Sequence, residues 1–254
     1  ADALNRLAEA YTARLDDLAT TITAEMGSPI LFSQLAQAPM PLMMLQYYSD
    51  LARSFAFEEH RQGPLSPTIV RQEPVGVVGA IAPWNVPQFT AMSKLAPALA
   101  AGCTVVLKPS PETPLDGYVL AEIVLEAGLP EGVVNIVAAG RETGEHLVTH
   151  PDVDKIAFTG STAAGRRIAS LCGERLRPVT LELGGKSASI VLDDADIGVV
   201  SDGLEMASFL NNGEACIAQT RILASNTRYD EVVEAVAAVA SALTIGDPME
   251  PTTQ

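Results

Sequence analysis

Three side chains in the 254-residue chain have the types and settings that acyl chemistry needs. Cys216 stands in FLNNGEACIAQTR, just after a glycine-containing turn, and a thiol becomes a strong nucleophile where an electropositive or helix-N-terminal setting favours its thiolate. Glu182 ends an apolar run immediately before Gly184 and Gly185, a place from which a carboxylate can activate a water. Asn85, in the turn PWN, offers an amide to a developing oxyanion; its plainer role is an Asx turn that holds the loop. The turn FTGSTAAG is not a GxGxxG fingerprint. It carries Gly160 and Gly165 and the hydroxyls of Ser161 and Thr162, which either receive a phosphate at a helix N-terminus or merely cap the helix. Lys108, ending a strand at a carboxyl edge, is a ligand-binding or a solvated lysine. Cys103 and Cys172 read as inert packing.

The elements that must position these groups are legible in the pattern. Apolar residues at Leu4, Leu7, Ala8, Tyr11, Leu15, Leu18, Ala19, Ile22 and Met26 form one helical stripe that ends at Gly27 and Pro29. A second helix is expected over 33–53, then a Pro- and Gly-rich passage with a short alternating strand, an edge hairpin or exposed ribbon. From residue 75 apolar strands alternate with helices. Strands are expected at 75–81, 103–109, 133–138, 155–160, 178–185 and 187–192, with helices between them, the last two helices over 197–210 and 229–243. Thr227 and Asp230 are spaced as a capping pair for the final one. Buried strands alternating with helices signal right-handed βαβ units and a parallel sheet covered on both faces.

Composition narrows the function classes. Sixteen Lys and Arg against 31 Asp and Glu give a net charge of −15, which lacks the positive surface that nucleic acid or an anionic membrane requires and favours a small-molecule ligand. An apolar content of 48% suffices for a sizeable core and argues against disorder. The three cysteines are far apart and form no CxxC pair, so no disulfide framework or thiolate metal site is read, and a reducing, cytoplasmic compartment is expected. The longest apolar run, 95–107, is too short and too interrupted by Pro97 and Gly102 to span a bilayer.

Taken in order, APWNVP, LKPSPETPL, GVVNIV, DKIAFTGST, LELGGKS and NNGEACIAQTRI resemble the NAD(P)-dependent aldehyde dehydrogenase superfamily over nearly the whole chain. The 34 residues from Glu182 to Cys216 match that family's spacing, and TAEMGSP looks like the segment ahead of its hairpin. The resemblance implies a doubly wound, Rossmann-like α/β cofactor domain over 1–184, with an oligomerisation hairpin near 57–73, followed over 185–254 by the start of a second α/β catalytic domain. It implies oxidation of an aldehyde to a carboxylic acid through a Cys216 thiohemiacetal and thioester, with Asn85 and the Cys216 backbone N–H holding the oxyanion and Glu182 activating water. Lys94 is implied either as a proton relay to the general base or as a structural lysine. For the cofactor, NAD with NADP as the alternative, the resemblance implies Lys108 at the adenosine ribose and Ser161, with Gly160 in the same turn, at the pyrophosphate. Ala82 and Trp84 fall on the cofactor side of the crevice, Gly140 and Phe158 on the adenine and phosphate side, and Leu183 at the nicotinamide.

Three departures qualify the transfer. Many NAD-preferring members carry a Glu three residues after the ribose lysine, and Pro111 stands there. Glu214 replaces a common Gln beside the nucleophile and is expected to point away from the sulfur, where its charge would oppose the thiolate. The chain also ends soon after the nucleophile, so it is expected to be the central piece of a longer homodimeric or homotetrameric enzyme. Two other readings stand beside this one: a CoA-acylating dehydrogenase, against which Glu182 argues, and a cofactor-binding module without turnover.

Overall fold

The computed structural model describes residues 1–254. Its N-terminal part is helical: α1 (Asp2–Thr12), α2 (Leu15–Met26), the single turn α3 (Ile30–Phe32) and α4 (Met40–Ser54). The stripe expected as one helix breaks at Arg14, which leaves helical geometry and turns its guanidinium to Asp17, Glu122 and Glu126 at 2.7–2.9 Å. α2 ends on Gly27 at φ 78°, a left-handed cap that glycine adopts without a Cβ penalty. The helix expected over 33–53 is also divided. A wide turn at Ser33–Gln37 precedes Pro39, which has no N–H to continue the ladder, and Pro41 then starts α4 in the first turn, where proline is tolerated.

An antiparallel ribbon follows, β1 (Glu58–Gln62) with β2 (Pro67–Arg71), nearly all of it exposed. The centre of the molecule then alternates strand and helix: β3 (Val77–Ile81), α5 (Pro87–Ala100), β4 (Thr104–Lys108), α6 (Leu115–Glu126), β5 (Val134–Ile136), α7 (Arg141–Thr149), β6 (Lys155–Gly160), α8 (Thr162–Gly173) and β7 (Val179–Leu183). The five strands form one wholly parallel sheet in the order β5-β4-β3-β6-β7. The chain thus moves outward from β3 first to one side and then to the other. That reversal opens a crevice beyond the carboxyl ends of β3 and β6, the place where doubly wound sheets bind ligands.

Alternation along the strands divides the core between the two faces. Val78, Ala80, Val105, Leu107 and Ala157 pack towards α1, α4, α5 and α6, in the larger cluster that also holds Leu7, Tyr11 and Leu95. Ile81, Ile156 and Phe158 pack on the other face with Val148, Ile168 and Cys172 of α7 and α8. Cys103 and Cys172 are buried free thiols within these clusters, as a packing role requires, and burial pushes the Cys172 thiol up.

After the sheet the chain builds a separate parallel pair, β8 (Ala188–Val191) with β9 (Arg221–Ala224), together with α9 (Ile197–Leu204) and α10 (Tyr229–Ala242). The helix expected over 197–210 stops its regular α-turns at Leu204, widens over Glu205–Phe209 and turns extended at Leu210. Strand β9 was not foreseen, because four residues of unexceptional pattern gain their identity only by pairing with β8. The Thr227 and Asp230 capping pair is corrected: Arg228 is the N-cap without a side-chain bond, and the Thr227 hydroxyl lies 2.9 Å from that of Ser225 instead. No helix is long and apolar enough to cross a membrane.

Candidate active site

The loops at the carboxyl ends of β3, β4, β6 and β7 meet the segment that precedes β9 around a cleft of about 660 Å³. Asn85, Glu182 and Cys216 all line it, so residues separated by up to 131 positions in sequence share one wall. Cys216 is exposed to the cleft as a free thiol. The Asn85 side chain donates to the Glu214 carbonyl at 2.7 Å, so it is more than an Asx-turn residue: it ties the β3 loop to the nucleophile's loop. An amide carries two N–H donors, and the second is available to an oxygen in the cleft.

The loop before Cys216 is held from the opposite side as well. Asn211 and Asn212 have φ of 55° and 59°, left-handed values that asparagine tolerates better than most residues. Buried Asn211 donates to the Asn85 carbonyl at 2.9 Å and accepts from Gln37 at 2.9 Å, and Gln37 also donates to Ser28. Asn212 donates to the Gly27 carbonyl at 2.8 Å. Reading the sequence missed Gln37, Asn211 and Asn212. The doublet Asn211-Asn212 beside Gly213 was the available signal, since such residues mark positive φ.

Lys94 lies outside this cleft but on a second cavity, of about 630 Å³, whose wall it shares with Glu182 and Cys216. It sits on α5, only 7% exposed, and donates to the Thr159 hydroxyl at 2.6 Å and the Thr90 carbonyl at 3.2 Å. Thr159 is the register partner of Glu182 across β6 and β7. Burial lowers the Lys94 pKa to about 8, and the Glu182 charge works in the opposite direction. The two cavities meet at Thr90, Phe158, Thr159, Glu182 and Cys216, so the thiol and the carboxylate are reached from both.

At the other end the cleft continues into a slot of about 380 Å³ between α7 and α8, lined by Val148, Ile168 and Leu171. Ile81, Lys108, Arg141, Phe158 and Ser161 belong to both spaces. Ala82, Trp84, Gly160 and Leu183 line the cleft. Gly140 lines neither space; it N-caps α7, and its Cβ position is open. Lys108 is 5% exposed, donates to the carbonyls of Pro109 and Ala139 at 2.8 Å, and has one proton left for a ligand. Burial lowers its pKa, with the Glu112 charge acting against that. Gly144 lets this lysine pass beneath α7, for a Cβ there would lie 3.2 Å from Lys108 Cε.

Ser161 caps α8 by accepting from the Ala164 N–H at 3.2 Å, which leaves its own O–H free to donate. The two readings of this turn are therefore compatible. Gly165, one turn into the helix, permits its close approach to β7: a Cβ would meet Leu183 Cδ2 at 2.5 Å. Glu214, beside the nucleophile, is among the residues that line the same cleft; its carbonyl takes the Asn85 bond, and burial raises its carboxyl pKa.

An apolar slot, a cationic and hydroxyl-bearing middle beside a helix N-terminus, and a thiol at the far end all lie at the switch point of a parallel sheet, where doubly wound folds bind dinucleotides. The chain belongs to the Aldehyde dehydrogenase family, which it matches over residues 1–254. It is 54% identical over 248 residues to a geranial dehydrogenase of Castellaniella defragrans, covering 97% of this chain and 52% of that protein. A phenylacetaldehyde dehydrogenase of Pseudomonas fluorescens is 41% identical over 254 residues, covering 97% and 51%. Among solved structures, a Mycobacterium tuberculosis aldehyde dehydrogenase complexed with NAD+ is similar with a TM-score of 0.95 and 43% identity, covering 99% of this chain and 52% of that one. The chain spans about half the length of these relatives.

Proposed function

We propose that the chain serves NAD(P)-dependent oxidation of an aldehyde to a carboxylic acid. The observation that carries this reading is the meeting of Cys216, Glu182 and Asn85 on one cleft wall, continuous with a largely apolar slot of about 380 Å³. The donor set fits a dinucleotide: Lys108, with one proton not taken by a carbonyl, and Ser161, whose O–H is free to donate, line both the slot and the cleft that reaches the thiol. Lys108 would hold the adenosine ribose, Ser161 and the Gly160 turn the pyrophosphate, Phe158 the adenine side, and Ala82, Trp84 and Leu183 the nicotinamide end, while Gly140, which lines neither space, would act only by starting α7. Bound there, NAD(P)+ supplies the hydride acceptor.

The chain's own groups supply the remaining chemistry. The Cys216 thiolate attacks the aldehyde carbon, and the carbonyl electron pair moves onto oxygen, where the Asn85 amide and the Cys216 backbone N–H receive it. Collapse of that alkoxide expels hydride and leaves a thioester. Glu182 then takes a proton from water, whose oxygen attacks the acyl carbon; the C–S bond breaks, releasing the acid and restoring the thiolate. Lys94, hydrogen-bonded to the register partner of Glu182, provides a route for that proton. Glu182 also weighs against CoA as the acyl acceptor.

An apolar aldehyde is the proposed substrate class. The names of the geranial and phenylacetaldehyde relatives support it, as do Phe89, Ala98 and Ile217 on the cavity beyond the thiol. We assign 1–184 to cofactor binding, with the ribbon around 57–73 joining copies into a homodimer or homotetramer, and 185–254 to the start of the catalytic domain. Three unpaired thiols suit a reducing cytoplasm. The test is a dehydrogenase assay with Cys216→Ala and Glu182→Gln variants. Cys216→Ala is expected to abolish turnover, and Glu182→Gln to preserve the burst of reduced cofactor while slowing steady turnover about a hundredfold or more. Steady turnover that is unchanged in Glu182→Gln, or acid formation that needs CoA, would refute the assignment.

A further inference from the structure

The ribose end of the cleft holds a carboxylate one residue beyond the place where the family resemblance calls for one. Pro111 occupies the expected position, and Glu112 follows it. Glu112 is exposed to the same cleft as Lys108, Ser110 and Arg141. Its carboxylate accepts a hydrogen bond from the Ser110 hydroxyl, which fixes its direction, and it lies close enough to Lys108 to act on that ammonium. An ammonium donor and a fixed carboxylate acceptor on one wall are the complement of a vicinal diol, whose hydroxyls both donate and accept.

The other charges around this wall decide what a phosphate would meet there. Arg167 is engaged by Glu145 at 2.7 Å across the slot, and two backbone carbonyls already take protons from Lys108. Arg141, at the start of α7, has no carboxylate partner and lines both spaces. A ribose bearing a 2′-phosphate would therefore gain Arg141 and be opposed by Glu112. Arg141 is long and free to move, whereas Ser110 holds Glu112 in place, so the repulsion is the term that bound ligand cannot avoid.

We infer that Glu112, held by Ser110, is the residue that selects a dinucleotide with a free ribose diol over its 2′-phosphorylated counterpart. The inference rests on the cofactor reading above and deepens it. Trp84 is the sole tryptophan of the chain and lines the cleft, so its fluorescence reports occupancy directly, with no need for turnover. Titration of the chain with NAD+ and with NADP+ is expected to show tighter NAD+ binding by on the order of tenfold, the factor that about 1.4 kcal/mol produces. In Glu112→Gln, NADP+ should tighten about tenfold and NAD+ change by less than about threefold; Glu112→Asp should keep the NAD+ preference. Glu112→Gln together with Arg141→Ala should lose the NADP+ gain.

A wild-type chain that binds both dinucleotides equally, or a Glu112→Gln variant with an unaltered ratio, overturns the inference and leaves the cofactor reading intact. A chain that binds neither dinucleotide overturns both.

Discussion

Asp116 gives the sharpest physical test of the fold around the site. Its carboxyl is 2% exposed at the start of α6, with Oδ2 accepting from Gln88 Nε2 at 2.7 Å and Oδ1 without a partner. The groups facing it are Gln88 from α5, buried Tyr11 from α1 and the Glu25 carboxylate of α2, which caps the N–H groups of Leu115 and Asp116. Burial raises the Asp116 pKa from 3.8 to about 7; Gln88 works against the rise and the Glu25 charge adds to it. The native state thus holds this proton more tightly than the unfolded chain does. The associated stability is fully present below pH 3.8 and is lost as the pH rises through about 7. At about 1.4 kcal/mol per pH unit, the whole interval corresponds to roughly 4 kcal/mol. Asp116→Asn keeps the shape and removes the ionisation. Urea unfolding of both chains between pH 4 and 8 should show a stability difference that moves in favour of the variant by several kcal/mol, on the order of that estimate from linkage, as the pH rises. Parallel profiles for the two chains would refute the reasoning, because they would mean that Asp116 gains no proton on folding.

Two further outcomes test the scaffold of the site. Asn211→Ala removes two buried hydrogen bonds and a residue suited to its left-handed φ, so unfolding free energy should fall by about 2–4 kcal/mol and aldehyde turnover by tenfold or more, with Trp84-reported dinucleotide affinity unchanged. Equal losses in affinity and turnover would show that the loop is not a specific support for Cys216. Gly165→Ala places a Cβ 2.5 Å from Leu183 Cδ2 and should cost about 1–3 kcal/mol in thermal or urea unfolding, together with weaker dinucleotide binding as Leu183 shifts in the cleft. Unaltered stability and affinity would mean that α8 and β7 separate freely.

Much of this molecule is written in its local pattern. The alternation of buried strands and helices from residue 75 onward is a property of side-chain periodicity, and β6 occupies the expected 155–160 span because its apolar run is bounded by a charged residue and a glycine turn. The motifs were equally readable, since the residue types that suit a thiolate, a carboxylate and an amide donor are fixed by chemistry. What periodicity cannot carry is any effect that depends on a distant partner. The stripe over α1 and α2 is continuous as a pattern, yet the helix breaks where Arg14 reaches the carboxylates of α6. Strand β9 exists through β8, and the place of Lys94 beside Glu182 arises from α5 lying over the register of β6 with β7.

The same division runs through the site. The chemical inventory, the order of the motifs and the parallel, doubly wound plan follow from residue type and short-range periodicity, both of which are present in the unfolded chain. That Asn85 ties down the loop of Cys216, that Gln37 supports that loop from the N-terminal helices, and that Glu112 lines the same cleft as Lys108 came only from the folded chain. Hydrogen bonds and charges act over a few ångströms of space, and the spacing of residues along a chain does not reveal which of them folding brings that close.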